Sequence, residues 1–168
     1  WEALPDLIES ANLSVNFYQP EFYIDDKKLD DVQPMFADTL FFHTIGLDVL
    51  RGDPKELGTP LYAFLSQSKA RELFGDEEPV GKTLSMGKMM DITVRGIYQD
   101  VPGNTAYRHN IVISLPTLEE HIFGRGTWRS NDIYNVFFRL KTPEDVEAMN
   151  GRIQKAVERY TETKEGTD

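Results

Sequence analysis

The sequence contains no cysteine among its 168 residues. Disulfide bonds and thiolate-ligated metal sites are therefore excluded, while the cellular compartment stays open. The fold must be held together by a hydrophobic core, and the chain is long enough to build one. A chain of ~150 residues buries roughly 68–70% of the surface that its unfolded state exposes.

Long apolar runs are missing as well. No stretch reaches the ~18 apolar residues that a membrane helix needs, and the chain carries no signal peptide. It begins at Trp1 without an initiator methionine. We therefore interpret it as a piece of a longer protein, so that the lack of membrane segments in this piece says nothing about the parent.

Basic residues are scarce relative to acidic ones. The chain has 18 lysines and arginines against 28 aspartates and glutamates, a formal net charge of −10. Such a charge repels phosphate backbones and anionic lipid surfaces. We therefore expect no nucleic-acid partner.

Motifs for catalysis and metal binding are missing too. His43, His109 and His121 are scattered without the spacing of a zinc-binding helix, and no G-x-S-x-G elbow is present for a serine nucleophile. The acidic stretch "IDDKKLDD" lacks the alternating ligands and the glycine of a calcium loop, so a solvated hairpin tip is favoured. We predict no catalytic, cofactor-binding or metal-binding residue, no cofactor and no enzymatic activity. Four aromatic residues fall at structural periods, which favours core packing over ligand stacking: Phe41, Phe42, Phe137 and Phe138.

The stretch "FGDEEPVGKTL" (74–84) resembles a phosphate-binding loop but departs from it. Five residues separate Gly75 from Gly81, where the loop needs four, and three of the five are carboxylates. Pro79 removes one of the required amides. A helix is expected before Gly75 and a strand after Lys82, the reverse of the required order. Gly75 is better explained as a helix-terminating glycine in the left-handed region.

The remaining patterns predict a mixture of helices and strands. Helices are expected at 2–10, in a short turn after residue 41, at 66–74 with Ser66 as N-cap, near 117–123, and from Thr142 with Pro143 at the first helical position. Strands are expected at 13–18, in a hairpin around Asp26-Lys27, and at 47–51, 61–65, 82–86, 91–100, 110–115 and 134–141. Gly96 is expected to mark a bulge. Val136, Phe138 and Leu140 are expected on one side of the last strand, against a helical stripe that contains Met149 and Ile153.

Several of these phrases occur in an order that resembles a known family. They are "DTLFFHTIGLDVLRGDP", "LSQSKARELFGDEEPVGKTL", "DITVRGIYQDVPGNTAYRHNIVIS" and "YNVFFRLKTPEDVEAMNGRIQKAVERY". The chain is similar, over roughly residues 36–160, to the MacB-like periplasmic core domain. That domain lies between the first and second membrane helices of FtsX-like ABC transporter permeases.

The resemblance implies an α+β fold of two lobes outside the membrane. A porter-like lobe would comprise about 1–18 and 106–168, and a mostly-β lobe would be inserted at about 19–105. It also implies a periplasmic, non-catalytic domain that couples ATPase cycles in the cytoplasm to export, handover or signalling. The implied partners are the parent's membrane helices, a cytoplasmic ATP-binding subunit and an extracytoplasmic protein. The parent would be dimeric, whereas this fragment could be a monomer.

Two other functions stay open at this point. An extracytoplasmic sensor or solute-binding domain would need a concave apolar pocket with convergent polar groups. A hydrolase would need a selected pair among the many carboxylates, and the sequence favours a solubilising surface over such a pair.

Overall fold

A computed structural model describes residues 8–16, 18–103, 108–122 and 134–165, with side chains as far as residue 155. These residues form ten strands and four α-helices. The strands are β1 (Ile8–Val15), β2 (Phe22–Ile24), β3 (Lys27–Lys28), β4 (Pro34–Ala37), β5 (Val49–Arg51), β6 (Tyr62–Ser66), β7 (Thr83–Met86), β8 (Met90–Tyr98), β9 (Ile111–Ser114) and β10 (Asn135–Leu140). The helices are α1 (Phe41–Ile45), α2 (Gln67–Phe74), α3 (Leu115–His121) and α4 (Asp145–Glu165), and a 3-10 helix spans Pro54–Gly58.

The chain divides into two compact units. Of the described residues, 8–11 and 138–165 form one, called the terminal unit, and those from 12 to 137 form the other, called the central unit. The lobe boundaries expected from the sequence stay a prediction.

The central unit is built on a mixed sheet. Its strands follow the order β1-β4-β9-β6-β8-β7-β2-β3, and β5 pairs with β8. The neighbours β4 and β9 are parallel, as are β6 and β8, whereas β6 and β9 are antiparallel. Helix α2 follows β6 directly and belongs to the connection from β6 to its parallel partner β8. This arrangement confirms the α+β class expected from the sequence.

The central strands are buried on both faces. Alternate residues of β6 enter two different hydrophobic clusters, since Ala63 and Leu65 join one and Phe64 joins the other. Helices α2 and α3 contribute to the first cluster, and α1 and the 3-10 helix contribute to the second. A strand covered on both faces needs apolar residues at every position. That requirement explains the continuous runs "YAFL" and "IVI" in the sequence.

Gly96 lies at a bulge, as expected. The register between β6 and β8 shifts there, and a Cβ on Gly96 would come within 2.1 Å of the Phe64 ring and 2.5 Å of the Arg51 carbonyl oxygen. No side chain fits in that space. The glycine therefore lets β5 and the Phe64 ring approach β8 closely.

The N-terminal helix expected at 2–10 is wrong where the structure describes it. Residues 8–10 begin strand β1, which ends at Val15 rather than at residue 18, and residues 2–7 lie outside the described part. The apolar spacing of this segment fits both a helix and a strand. The strand that pairs with β4 at Ser14 and Val15 extends back without a break to Ile8, so that sheet formation rather than local spacing sets the conformation of residues 8–10.

The starts of two helices also differ from the expectation. Leu115 begins α3 instead of ending β9, because Pro116 fits the first turn of a helix. Helix α4 begins at Asp145 rather than after Thr142. Thr142 and Asp145 are joined by two bonds, since the Thr142 amide donates to the Asp145 carboxylate (3.1 Å) and the Asp145 amide donates to the Thr142 carbonyl (3.2 Å).

In the terminal unit, α4 packs on β1 through a small apolar cluster. Met149 is 4% exposed and contacts the cluster that contains Ile8 and Ala11, joined by half-buried Leu140 and Ile153. The expected inward position of Met149 is thus confirmed. The expected strand partners are wrong, because Val136 and Phe138 are 48% and 37% exposed.

Candidate functional site

The amides that would have to face a phosphate in the turn that follows α2 are largely used within the protein. The amides of residues 80–82 all donate within the protein. Their acceptors are one carboxylate and two carbonyls, those of Glu78 (3.2 Å), Val94 (2.8 Å) and Pro79 (3.1 Å). The Lys82 ammonium donates to Glu77 at 2.7 Å and lowers the pKa of that carboxyl. The helix before Gly75 and the strand after Lys82 follow the expected order.

A groove of about 360 Å³ lies between this turn, α2, and strands β5 and β8. Its apolar lining includes Leu50, Ala70 and Ile97, and its polar lining includes Arg51, Arg71 and the acids at 76–78. Arg51 pairs with Glu78 across it. The Val80 amide and then Arg51 hold the pKa of the Glu78 carboxyl below its usual range. The charged lining differs from the apolar pocket of a typical small-molecule site.

The N-terminus of α2 is occupied by a carboxylate from the end of β8. Asp100 accepts two hydrogen bonds from Ser68, one from the amide (2.9 Å) and one from the hydroxyl (2.8 Å). Ser66 caps the same turn, since its hydroxyl accepts the Lys69 amide at 3.3 Å. A negative charge at this position is stabilised by the helix dipole. The Ser66 cap was expected from the sequence, whereas Asp100 was not.

Lys69 is the buried cation of the central unit that sequence reasoning missed. Lys69 is 3% exposed. Its ammonium donates to the Glu72 carboxylate at 2.8–2.9 Å and to the Asp30 carbonyl at 3.3 Å. Lysine is almost never fully buried unless it is paired. The one available signal was the i, i+3 spacing of Lys69 and Glu72, which many exposed helices share.

The three histidines occupy different surroundings. His43 and His121 are exposed, and His109 is half-buried just before β9. Burial lowers the pKa of His109, against the effect of hydrogen bonds with the Pro34 and Gln33 backbone. Within the described residues, no group of three histidine, aspartate or glutamate side chains is placed to hold a metal ion. The absence of catalytic and metal residues stays a prediction for the whole chain.

The aromatic residues divide between core and surface. Phe41 and Phe42 are buried and pack edge to face at 5.3 Å, and the Phe42 ring also contacts Phe64 and Tyr98. Core packing is therefore confirmed for this pair. Phe138 is exposed, so the same expectation is wrong there. Phe138 shares a face of β10 with Leu140, which packs against the cluster around Met149, so its exposure shows that the cluster does not extend along the strand as far as Phe138.

Among the described helices, none is both long and apolar enough to cross a bilayer. Helix α4 has the length but carries charged residues along its whole sequence.

Comparisons with known proteins agree on one family. The sequence matches the model of the MacB-like periplasmic core domain over residues 2–156, which includes the N-terminal part that the resemblance did not cover. A search of curated proteins finds no match.

Three solved structures share the fold. A domain of a putative permease from Porphyromonas gingivalis is 21% identical, with a TM-score of 0.69 over 92% of this chain and 68% of that one. The periplasmic region of MacB from Actinobacillus actinomycetemcomitans is 16% identical, with a TM-score of 0.68 over 96% and 78%. The extracellular domain of the noncanonic ABC-type transporter YknZ from Gram-positive bacteria is 16% identical, with a TM-score of 0.60 over 84% and 70%.

The match to the family model covers most of the chain and agrees with the phrases from "DTLFFHTIGLDVL" to "VEAMNGRIQKAVERY". The chain therefore belongs to the MacB-like periplasmic core domain family, the extracytoplasmic domain of MacB- and FtsX-like ABC transporter permeases.

Proposed function

We propose that this domain transmits motion between a cytoplasmic ATPase and the outside of the membrane, with its two lobes as the moving parts. The motion would expel or hand over a substrate, or signal to a partner outside the membrane. The domain itself would do no chemistry. The observation that carries the proposal is the family match over residues 2–156.

The surfaces of the central unit support a mechanical role over a chemical one. The turn after α2 uses the amides of residues 80–82 internally, and Asp100 already occupies the N-terminus of α2. The groove beside α2 has a charged lining. Coupling across a distance needs an element with two states that ATP biases, rather than a constellation of reactive groups.

The proposed partners follow from the same role. The domain would be joined to membrane helices of its parent, act with a cytoplasmic ATP-binding subunit and contact an extracytoplasmic protein. The parent would be a dimer. The net charge of −10 supports the exclusion of nucleic acid.

The test uses the full-length parent with its ATPase in nanodiscs. Spin labels are placed through Lys27→Cys on the predicted inserted lobe and Lys155→Cys on α4, both exposed positions in a chain without native cysteine. We expect the label distance, within or between protomers, to change when a non-hydrolysable ATP analogue binds. A control pair at Lys55 and Lys82, both exposed and both in the central unit, should keep its distance.

Fixed distances in the first pair, with the ATPase demonstrably occupied, would remove the mechanical role. The alternative is then a passive sensor or solute-binding domain. That function would require saturable binding of a small solute to the isolated chain, which calorimetry can measure.

A further inference from the structure

Residues 22–33, called the arm here, form an outlying part of the central unit. The arm contains β2, a two-residue turn, β3 and the loop to β4. Strand β3 has two residues and lies last in the order of the central sheet. Such short hairpins have marginal stability by themselves.

The arm also concentrates backbone strain. Five non-glycine residues of the described chain have positive φ, and three of them lie here: Asp25 (47°), Asp26 (62°) and Asp31 (49°). The first two form the turn, where positive φ at both positions matches the twist of the flanking strands. Aspartate tolerates this region better than most residues but still at an energetic cost. Contacts outside the arm must offset that cost.

Packing against α2 is incomplete. A groove of about 570 Å³ separates the two, lined on the arm side by Ile24 and Leu29 and on the helix side by Glu72 and Leu73. Phe22 in the core and the pairing of β2 with β7 anchor one side of the arm, whereas the side that faces α2 is held in part by polar contacts.

The first polar contact comes from Lys69 of α2. Its buried ammonium spans from the Glu72 carboxylate, whose side chain is 58% exposed, to the Asp30 carbonyl. Because the donor is charged and shielded from water, this bond to the arm backbone is stronger than an exposed neutral one.

The second contact comes from Asn110, immediately before β9. Its amide nitrogen donates to the Asp31 carbonyl at 2.7 Å, and its amide oxygen accepts the Gln33 amide at 2.8 Å. The Asn110 backbone amide also donates to the Gln33 carbonyl at 3.1 Å. One side chain thus holds both ends of a three-residue segment that includes the strained Asp31.

We propose that Lys69 and Asn110 form a two-point latch, and that its release lets the arm open while the rest of the sheet stays folded. Proteins open locally in cooperative segments at a lower free energy than global unfolding, and a segment at the edge of a sheet is a candidate for such opening. Opening would uncover Phe22, which is 1% exposed, together with the Lys69 ammonium. The latch is a property of this chain alone and does not depend on the transport role.

Hydrogen exchange measured by mass spectrometry tests the latch on the 168-residue chain. In Lys69→Met and in Asn110→Ala, peptides that cover 22–33 should exchange about tenfold faster than in the unmodified chain, while peptides from β6 and β9 keep their rates. The Leu29 amide, which donates to the Phe22 carbonyl at 2.8 Å, lies within the reporting peptides. Lys82→Met removes an exposed ion pair of similar length and serves as the matched control, with no change expected.

Glu72→Ala is a second variant, to be used if Lys69→Met does not fold. It removes the ion pair that orients the Lys69 ammonium, from an exposed position, and we expect a smaller increase in the exchange rate of the same peptides. Unchanged exchange of the arm in the folded variants would overturn the proposal. Equal acceleration of the arm, β6 and β9 would overturn it too, since the arm would then open only when the whole unit unfolds.

Discussion

At the residue scale, Gly75 shows how a single backbone angle ends a helix. Its φ is 61° and its ψ is −122°, and its amide donates to the Arg71 carbonyl at 2.8 Å. The positive φ was expected, but the ψ lies outside the left-handed helical region that the sequence suggested. This combination is that of a type II′ turn, which glycine dominates.

We predict that Gly75→Val lowers the free energy of unfolding by about 1–3 kcal/mol. The loss of stability does not come from a steric clash, because a Cβ added at Gly75 would have no neighbouring atom within 4 Å. It comes from the positive φ, which a β-branched side chain disfavours. Gly151→Ala is the control, and its effect on the free energy of unfolding should have the opposite sign. It lies inside α4 with open space around it, and we expect a gain of up to about 1 kcal/mol. Urea denaturation measures both, and a Gly75→Val midpoint equal to that of the unmodified chain would contradict the strain argument.

Leu61 is a second residue whose conformation depends on its surroundings. Its φ is 64°, unusual for a large side chain, and its amide donates to the Thr117 hydroxyl at 2.7 Å. The Leu61 carbonyl accepts the Thr93 amide at 2.8 Å, and the side chain packs on the central core. Burial and two hydrogen bonds offset the strain that a glycine would avoid.

At the element scale, α4 packs against the rest of the terminal unit through one narrow apolar stripe. Met149 is nearly fully buried, Ile153 is half-buried and Val146 is 49% exposed. The stripe therefore narrows toward its N-terminal end. Its contacts are with Ile8, Ala11 and Leu140, so the helix covers both β1 and the end of β10.

Truncation along this stripe should give a graded loss of stability. We predict that Met149→Ala lowers the free energy of unfolding by about 2–5 kcal/mol, because the methionine fills a buried site. Ile153→Ala should cost less, about 1–2 kcal/mol, since that side chain is only half-buried. Val146→Ala, at an exposed position, should change stability by less than about 0.5 kcal/mol. Urea denaturation of the three variants measures the loss of unfolding free energy for each. An equal loss for Val146→Ala and Met149→Ala would contradict the prediction that the Met149 face of α4 is the buried one.

At the scale of the whole molecule, stability should depend on pH through His109. Its pKa lies below the usual value of 6.5 because the half-buried ring loses hydration. The unfolded chain therefore binds a proton first as the pH falls below about 6.5, and the free energy of unfolding falls until the folded pKa is reached. Asp38 acts in the opposite sense at lower pH, because burial raises the pKa of its carboxyl and protonation then favours the folded state.

We predict that His109→Gln flattens the stability profile between pH 7 and the folded pKa of His109. Thermal unfolding at a series of pH values, with the unmodified chain beside the variant, measures the difference. Gln99→Asn, at an exposed position, changes no titratable group and is the control for the substitution itself. A variant slope equal to that of the unmodified chain would show that another group titrates in this range.

The sequence determined the elements whose signals are local and consistent. Helix α2 has a capping serine, an amphipathic body and a terminating glycine within ten residues. The pair of β7 and β8, the buried strand β6 and the bulge at Gly96 follow in the same way from alternation and glycine placement. The family could also be recognised, because its phrases combine several such signals in a fixed order.

Only the tertiary structure decided the features that depend on partners distant in the chain. Residues 8–10 are a strand because β1 has neighbours to pair with, although their spacing also fits a helix. Val136 and Phe138 are exposed because α4 covers Leu140 instead. The burial of Lys69 depends on a hydrogen bond from its ammonium to the carbonyl of Asp30, which lies 39 residues earlier in the sequence. Strand pairing and burial are set by contacts between segments that are distant in the sequence. A local pattern does not specify which distant segment will pack against it.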